Sequence, residues 1–284
     1  MGHQTTVYEK RSKLGGMLLY GIPSYRLPRE RLQEDVDAIL ATGVEVKTDT
    51  AVGSEPGQVS MDFLRKEYDA VYISIGAHTD KKVGIEGEDA EGVISAVEML
   101  REVGRGRMPD FTGKRVCVIG GGNVAMDAAR TAIRLGADVT VLYRKTQEEM
   151  PAIQSEYEDA VKEGVKFEWK TTIEAFLKGK NGRLGSCVLN TPEGERVEKF
   201  DRIYLAIGSR PANRIVSTTA GIEVDEKGYV KVVERPFGMT TRRGVFAGGD
   251  VVHRPQTVVL AMKAAKEVAQ GIAQYVDAIK LLEE

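Results

Sequence analysis

The chain is poor in cysteine, histidine and tryptophan, in long apolar runs, and in any excess of charge of one sign. Its 284 residues include two cysteines, three histidines and one tryptophan. Cys117 lies inside an apolar strand pattern and Cys187 far along the chain, which excludes both a disulfide framework and a CxxC dithiol pair. His3, His78 and His253 are scattered through polar, loop-like stretches. They form no recognisable zinc or iron–sulfur ligand spacing, and they offer no obvious general acid for a conventional dehydrogenase. No apolar run approaches the ~20 residues of a spanning helix, and the first residues lack the charged and apolar regions of a signal peptide. A cytoplasmic protein without membrane contact is expected. Lys and Arg number 40 against 42 Asp and Glu, a net charge of -2 with the signs interspersed, so there is no electrostatic footprint for nucleic acid. Trp169 sits in a strand pattern and is expected in the core rather than against a ligand.

What the chain has is short Val-, Ile- and Tyr-rich runs, several followed by helical periodicity, the alternation of parallel sheets with crossover helices. The expected strands are Thr5 to Glu9, Gly43 to Thr48, Tyr68 to Gly76, Arg115 to Gly120, Asp138 to Arg144, Arg202 to Gly208 and Gly244 to Gly249. Helices are expected over Pro28 to Thr42, Ala96 to Val103, Asn123 to Leu135, Ala152 to Glu163 and Val258 to Leu282. Between Val165 and Val197, segments broken by GKNG and TPEGE read as a β-meander. The stretches DAVYISIG and DRIYLAIG look alike, which suggests equivalent strands of two related modules ending at Gly76 and Gly208.

The most informative stretch is VCVIGGGNVAMDAARTAIRLGADVTVLYRK, Val116 to Lys145. Gly120, Gly122 and Ala125 form G-x-G-x-x-A directly after a strand and at the start of a helix. The first glycine permits a tight turn, the second lets backbone approach a pyrophosphate, and the alanine lets helix and strand pack closely. The helix N-terminus, with Asn123 and Val124, offers free N–H groups to the anion. The returning strand ends in Arg144 and Lys145, where a carboxylate would hold the ribose hydroxyls of NAD. A guanidinium there can instead fork onto a 2′-phosphate, which favours NADP(H), although a basic pair at a strand end can also be a solvated surface feature.

GHQTTVYEK, at the start of the chain, reads as the second strand of another such unit, with Glu9 at the ribose-binding position. With GGMLLYGIPSYRLP, VIGGGNVAMDAAR, VLYRKTQEEMPA and VFAGGDVV in order, nearly the whole chain resembles the flavoprotein disulfide reductase superfamily, specifically the glutamate synthase small-subunit type of NADPH-dependent oxidoreductase. The resemblance implies an α/β fold of two Rossmann-like, three-layer modules with parallel sheets. It implies a discontinuous FAD-binding domain at 1–110 and 236–284, truncated at its N-terminus, around an NADP(H)-binding domain at 111–235. It further implies that Glu9 holds the FAD ribose, and that Gly15, Gly16 and Gly76 pass near the cofactor. Gly249 and Asp250 would bind its ribityl and phosphate region, and the stretch Gln256 to Val259, with Thr257 and Val258, would turn a helix N-terminus toward the isoalloxazine.

The implied activity is hydride transfer from NADPH to FAD, with electrons passing to a larger synthase subunit, an iron–sulfur partner or another acceptor; homo-oligomers are also open. The family's opening strand and G-x-G-x-x-G turn precede GHxVTVxE, whereas this sequence starts at Met1-Gly2-His3. The absent strand is the central one in the order 3-2-1-4-5. Its neighbours would then close on each other, receive a strand from another chain, or belong to a longer polypeptide. The competing expectation is a truncated NADP(H)-binding module that holds no FAD.

Overall fold

The computed structural model describes residues 1–77, 79–210, 214–217, 219–255 and 257–283. In chain order its elements are β1 (Thr6–Tyr8), α1 (Gly16–Tyr20), α2 (Arg29–Leu40), β2 (Glu45–Lys47), α3 (Met61–Glu67), β3 (Val71–Ile73), β4 (Thr79–Asp80), β5 (Val93–Ser95), α4 (Ala96–Gly104), β6 (Arg115–Ile119), α5 (Asn123–Arg134) and β7 (Asp138–Tyr143). There follow α6 (Gln154–Lys162), β8 (Lys166–Trp169), β9 (Thr172–Lys178), β10 (Leu184–Thr191), β11 (Gly194–Glu198), β12 (Arg202–Leu205), β13 (Ser209–Arg210), α7 (Arg214–Ser217), β14 (Val232–Glu234), β15 (Phe237–Thr240), β16 (Val245–Ala247) and α8 (Val258–Glu283). No helix among the described residues is long and apolar enough to cross a membrane. The chain divides into two compact units: Met1–Leu14, Ala38–Thr79 and Ser209–Glu284 in one, Gly15–Asp37 and Asp80–Gly208 in the other.

The second unit is built on a five-stranded parallel sheet in the order β5-β12-β6-β7-β8. Strands buried on both faces read as continuous apolar runs, and Val116, Cys117, Val118, Val139 and Val141 are fully buried. The α5 helix lies on this sheet through Ala125, Ala128, Ala129 and Ala132, all fully buried. Side chains this small let the helix backbone come close to the strands. A three-stranded antiparallel sheet, β11-β10-β9, is the meander. It begins later than the sequence suggests, because Lys166–Trp169 pairs in parallel with β7 as the edge of the main sheet.

The other face of α5 carries Asp127, Arg130 and Thr131, which are buried as well. They are covered by the segment around Tyr25 and Arg26. Arg26 reaches Asp127 at 2.8 Å and Glu156 at 3.2 Å, while Arg130 reaches Glu156 at 2.8 Å and Glu163 at 2.7 Å. The Tyr25 ring lies under the guanidinium groups of Arg130 and Arg134, at 4.9 and 3.8 Å. Burial pushes the Tyr25 hydroxyl up and raises the Asp127 carboxyl despite its partner Arg26.

These contacts move the boundaries away from the expected 110/111 and 235/236. Residues 15–37 pack with the second unit through the α5 ion pairs, and residues 80–110 follow because β5 pairs with β12 in the main sheet. Residues 211–235 go the other way, since β14 pairs with β15. In each case long-range pairing outweighs adjacency along the chain.

The first unit contains the four-stranded sheet β14-β15-β16-β3, with β16 and β3 parallel and Val245 opposite Val71. Met61, Ile73, Val230, Val245, Ala247 and Val251 form its core. The α8 helix lies close on β15, where a Cβ on Gly271 would stand 2.2 Å from the Phe237 carbonyl oxygen. The β1–β2 pair is separate and parallel, with Val7 opposite Val46. Among the described residues β1 pairs only with β2, and β3 only with β16. Strands β1 and β3 therefore do not pair with each other among the described residues. The Tyr8 hydroxyl of β1 instead lies 3.0 Å from the hydroxyl of Tyr68, the C-cap residue of α3.

Candidate nucleotide-binding site

The glycine turn of the second unit joins β6 to α5 at the C-terminal edge of the parallel sheet, where open α/β sheets place their ligands. Gly120 has φ +139°, and a Cβ on it would stand 2.4 Å from the Ala206 carbonyl oxygen. Glycine is thus required there by backbone conformation and by the neighbouring strand. At Gly121 a Cβ would enter the Tyr143 ring, 2.5 Å from its nearest carbon.

Gly122 is different. Its φ of -95° and ψ of 176° suit any residue, and a Cβ would meet no protein atom within 4 Å. Gly122 is also the N-cap of α5, and no side chain caps this end. The first bonds back to the turn come from the N–H groups of Ala125 and Met126 to the Gly122 carbonyl. The N–H groups of Gly121, Gly122, Asn123 and Val124 have no hydrogen-bond partner among the described residues. Four consecutive free donors at the positive end of a twelve-residue helix suit the approach of an anion.

The segment after β7 is laced to this turn. The Ala152 N–H donates to the Gly121 carbonyl at 3.0 Å, and the Ile153 N–H donates to Asn123 Oδ1 at 2.9 Å. Asn123 Oδ1 is therefore committed to the protein, which leaves the backbone and side-chain amide N–H groups of this residue for a ligand. This lacing also gives the EEMPA stretch, Glu148 to Ala152, its role: it fixes the loop that carries the basic pair. Arg144 is exposed and has no hydrogen bond or ion pair among the described residues. Lys145 Nζ lies 2.9 Å from Glu149, whose carboxyl it holds below the usual range. Gly208, with φ +97°, follows β12 at the same edge, where the Ala206 N–H donates to the Ile119 carbonyl. The structure thus brings together Gly120, Gly122, Asn123, Val124, Ala125, Arg144, Lys145 and Gly208.

The residues assigned to FAD by resemblance fall in both units. Glu9, Gly76, Gly249, Asp250, Thr257 and Val258 are in the first unit, and Gly15 and Gly16 in the second. Glu9 follows β1, and its Oε1 accepts the Arg11 N–H at 2.8 Å. Gly76 (φ +66°) and Gly249 (φ +74°) follow the adjacent parallel strands β3 and β16, so they lie at one sheet edge with Asp250. Thr257 caps α8, its Oγ1 accepting the Leu260 N–H, while Val258 is exposed at the first turn. Gly16 has φ +50° at the start of α1, with open space around it. His253 is exposed beyond Gly249, whereas His78 and Gln256 lie outside the described residues. Trp169 stacks on Phe167 at 5.4 Å and meets Tyr143 edge-on, a packing role.

The chain is similar along most of its length to several known oxidoreductase proteins. The NADP(+)-dependent formate dehydrogenase subunit beta of Moorella thermoacetica is 40% identical over 294 positions, covering 96% of this chain and 41% of that protein. The glutamate synthase [NADPH] small chain of Escherichia coli is 31% identical over 306 positions, covering 97% of this chain and 64% of that protein. The chain thus spans less than two thirds of the length of these relatives. Among solved structures, the His57Gln mutant of FprA from Mycobacterium tuberculosis superposes with a TM-score of 0.81 over 99% of this chain and 80% of that one, at 16% identity, a likeness of fold. The description "Pyridine nucleotide-disulphide oxidoreductase" matches residues 2–265, and the chain belongs to that family.

Proposed function

We propose that this chain binds NADP(H) at the β6–α5–β7 turn and forms part of a flavin oxidoreductase that passes hydride from NADPH to FAD and electrons onward to a partner subunit or acceptor. The observation that carries the reading is Gly122. A side chain there would meet no protein atom, and the open space lies in front of the free N–H groups, so its lack of a Cβ leaves a phosphate room to approach the turn. The N–H groups of residues 121–124 would hold the pyrophosphate. Ala125 keeps helix and strand close, and Arg144 with Lys145 would receive the 2′-phosphate. No side-chain acid or base is needed for hydride transfer; this chain's part is to bind and orient the nucleotide.

FAD fits in part. Glu9 Oε2 has no partner among the described residues and would accept a ribose hydroxyl. Gly249 and Asp250 would line the ribityl and phosphate region, and the capped N-terminus of α8 would face developing negative charge. A bound FAD would supply the capacity to accept a hydride and release electrons singly or in pairs. The relatives are named as subunits, which supports a partner subunit for this chain as well.

The test is calorimetric binding of NADPH and NADH to the wild-type chain and to Arg144→Asp, together with visible absorption of the purified protein. Preference for NADPH in the wild type and its reversal in the variant are expected; unchanged discrimination refutes the assignment. Flavin absorption that bleaches with NADPH supports the oxidoreductase. A colourless protein that binds NADPH favours the binding module without FAD.

A further inference from the structure

Three non-glycine residues among those described have positive φ: Asp49 at +51°, Lys170 at +53° and Asn181 at +62°. Aspartate and asparagine visit the left-handed region readily, because their short polar side chains bond locally, but lysine has no such preference. Backbone strain held at one residue is a reason to ask what it positions. Lys170 lies in the two-residue link between β8 and β9. The parallel pairing of β7 with β8 ends at Tyr143 opposite Trp169. Just beyond it the Lys170 N–H donates to the Lys145 carbonyl at 3.0 Å, and the Thr171 N–H donates to the Tyr143 carbonyl at 3.1 Å.

These two bonds bracket Arg144 and set Lys170 abreast of the basic pair, although the sequence separates them by a helix and a strand. Lys170 is exposed and makes no ion pair among the described residues. Backbone and Thr146 hydrogen bonds hold the Glu148 carboxyl below its ordinary value, with a lesser contribution from the Lys170 charge. The backbone bonds thus place Arg144, Lys145 and Lys170 side by side at the end of β7, with Lys145 paired to Glu149.

We propose that Lys170 is a specificity-determining residue, the third cation that reads the adenosine 2′-phosphate beside Arg144 and Lys145. The inference rests on the NADP(H) reading of this turn and extends it to a residue on another strand. The guanidinium can offer a fork to the phosphate, and an ammonium from the neighbouring strand end adds a charge from a second direction.

The experiment measures binding of 2′,5′-ADP and 5′-AMP to the full chain by calorimetry, for the wild type and for Arg144→Ala, Lys170→Asn and Lys170→Arg. Asparagine removes the charge while tolerating φ near +53°, and a thermal melt checks that the fold is kept. Lys170→Asn is expected to weaken 2′,5′-ADP about five- to twentyfold, as loss of one charge-assisted contact would. Binding of 5′-AMP should be unchanged and Lys170→Arg should retain the preference. If the wild type and Arg144→Ala show that Arg144 selects the 2′-phosphate while Lys170→Asn weakens both ligands equally or neither, this inference is overturned and the NADP(H) reading stands. A wild type that does not distinguish the two ligands overturns both.

Discussion

Gly120 and Gly122 are two positions apart in one turn, yet the structure assigns their lost hydrogens to different consequences when each is replaced by alanine. In Gly120→Ala the new Cβ meets the Ala206 carbonyl oxygen at 2.4 Å on a backbone at φ +139°. A side chain in such a glycine-only conformation costs about 1–3 kcal/mol, and a forced backbone shift a further 1–3 kcal/mol. A loss of about 2–6 kcal/mol lowers the melting temperature of a domain of this size by roughly 10 °C. In Gly122→Ala the methyl group enters open space at an ordinary φ. Reduced unfolded-state entropy favours alanine and N-cap preference favours glycine, so stability should stay within about 0.5 kcal/mol of wild type. The methyl group instead occupies the approach to the free N–H groups. Loss of one or two charge-assisted hydrogen bonds to the pyrophosphate weakens NADP+ about 10- to 100-fold. Circular-dichroism melts and calorimetric titration with NADP+ measure the two quantities separately. A Gly122→Ala protein that binds NADP+ like the wild type, or that melts as early as Gly120→Ala, would refute the reasoning.

Three further perturbations test the packing behind the turn. Hydrogen bonds and charge from Arg134 and Arg130 hold the Glu163 carboxyl down at about 2, against an ordinary 4.5. Its contribution is therefore present above pH 4.5 and lost as pH falls toward 2; after solvent screening it amounts to about 1–2 kcal/mol. The stability gap between wild type and Glu163→Gln in urea titrations should shrink between pH 7 and pH 3, and a constant gap contradicts the assignment. Arg26→Ala leaves Asp127 buried without its nearest cation and should cost about 3 kcal/mol. Burial already raises the Asp127 carboxyl, so its ionised form weighs against folding once pH rises through its folded value. Adding Asp127→Asn should then restore part of the loss at pH 7, and no restoration would show that the charge is not what matters. Cys117 and Cys187 are fully buried, and burial pushes the first thiol well up and the second to about 12. Neither should react with a thiol reagent until denaturant is added; prompt labelling of the native protein contradicts this.

Much of the candidate site is legible without a structure because its signals are local. The strand–turn–helix–strand from Arg115 to Lys145 carries its periodicity, glycines and caps within one contiguous stretch, and observed bounds such as Arg115–Ile119 and Asn123–Arg134 fall within a residue of those expected. Short elements were harder. The helices at Gly16–Tyr20 and Met61–Glu67 give too few residues for a period to show. Lys166–Trp169 reads like a meander strand because apolar alternation does not reveal which strand will be its partner.

The sequence by itself determined the α/β class, the glycine turn, the basic pair after β7 and the place of Glu9, since each depends on residues adjacent in the chain. Tertiary structure alone decided that β5 joins the main sheet, that Tyr25 and Arg26 cover the polar face of α5, and that β1 and β3 remain unpaired with each other. It alone placed Lys170 beside Arg144, and it separated Gly122 from Gly120 by the space around each. The physical reason is common to all of these. Hydrogen-bond ladders, ion pairs and steric clearance are made between residues distant in sequence, and no local preference of the chain encodes which distant neighbour will arrive.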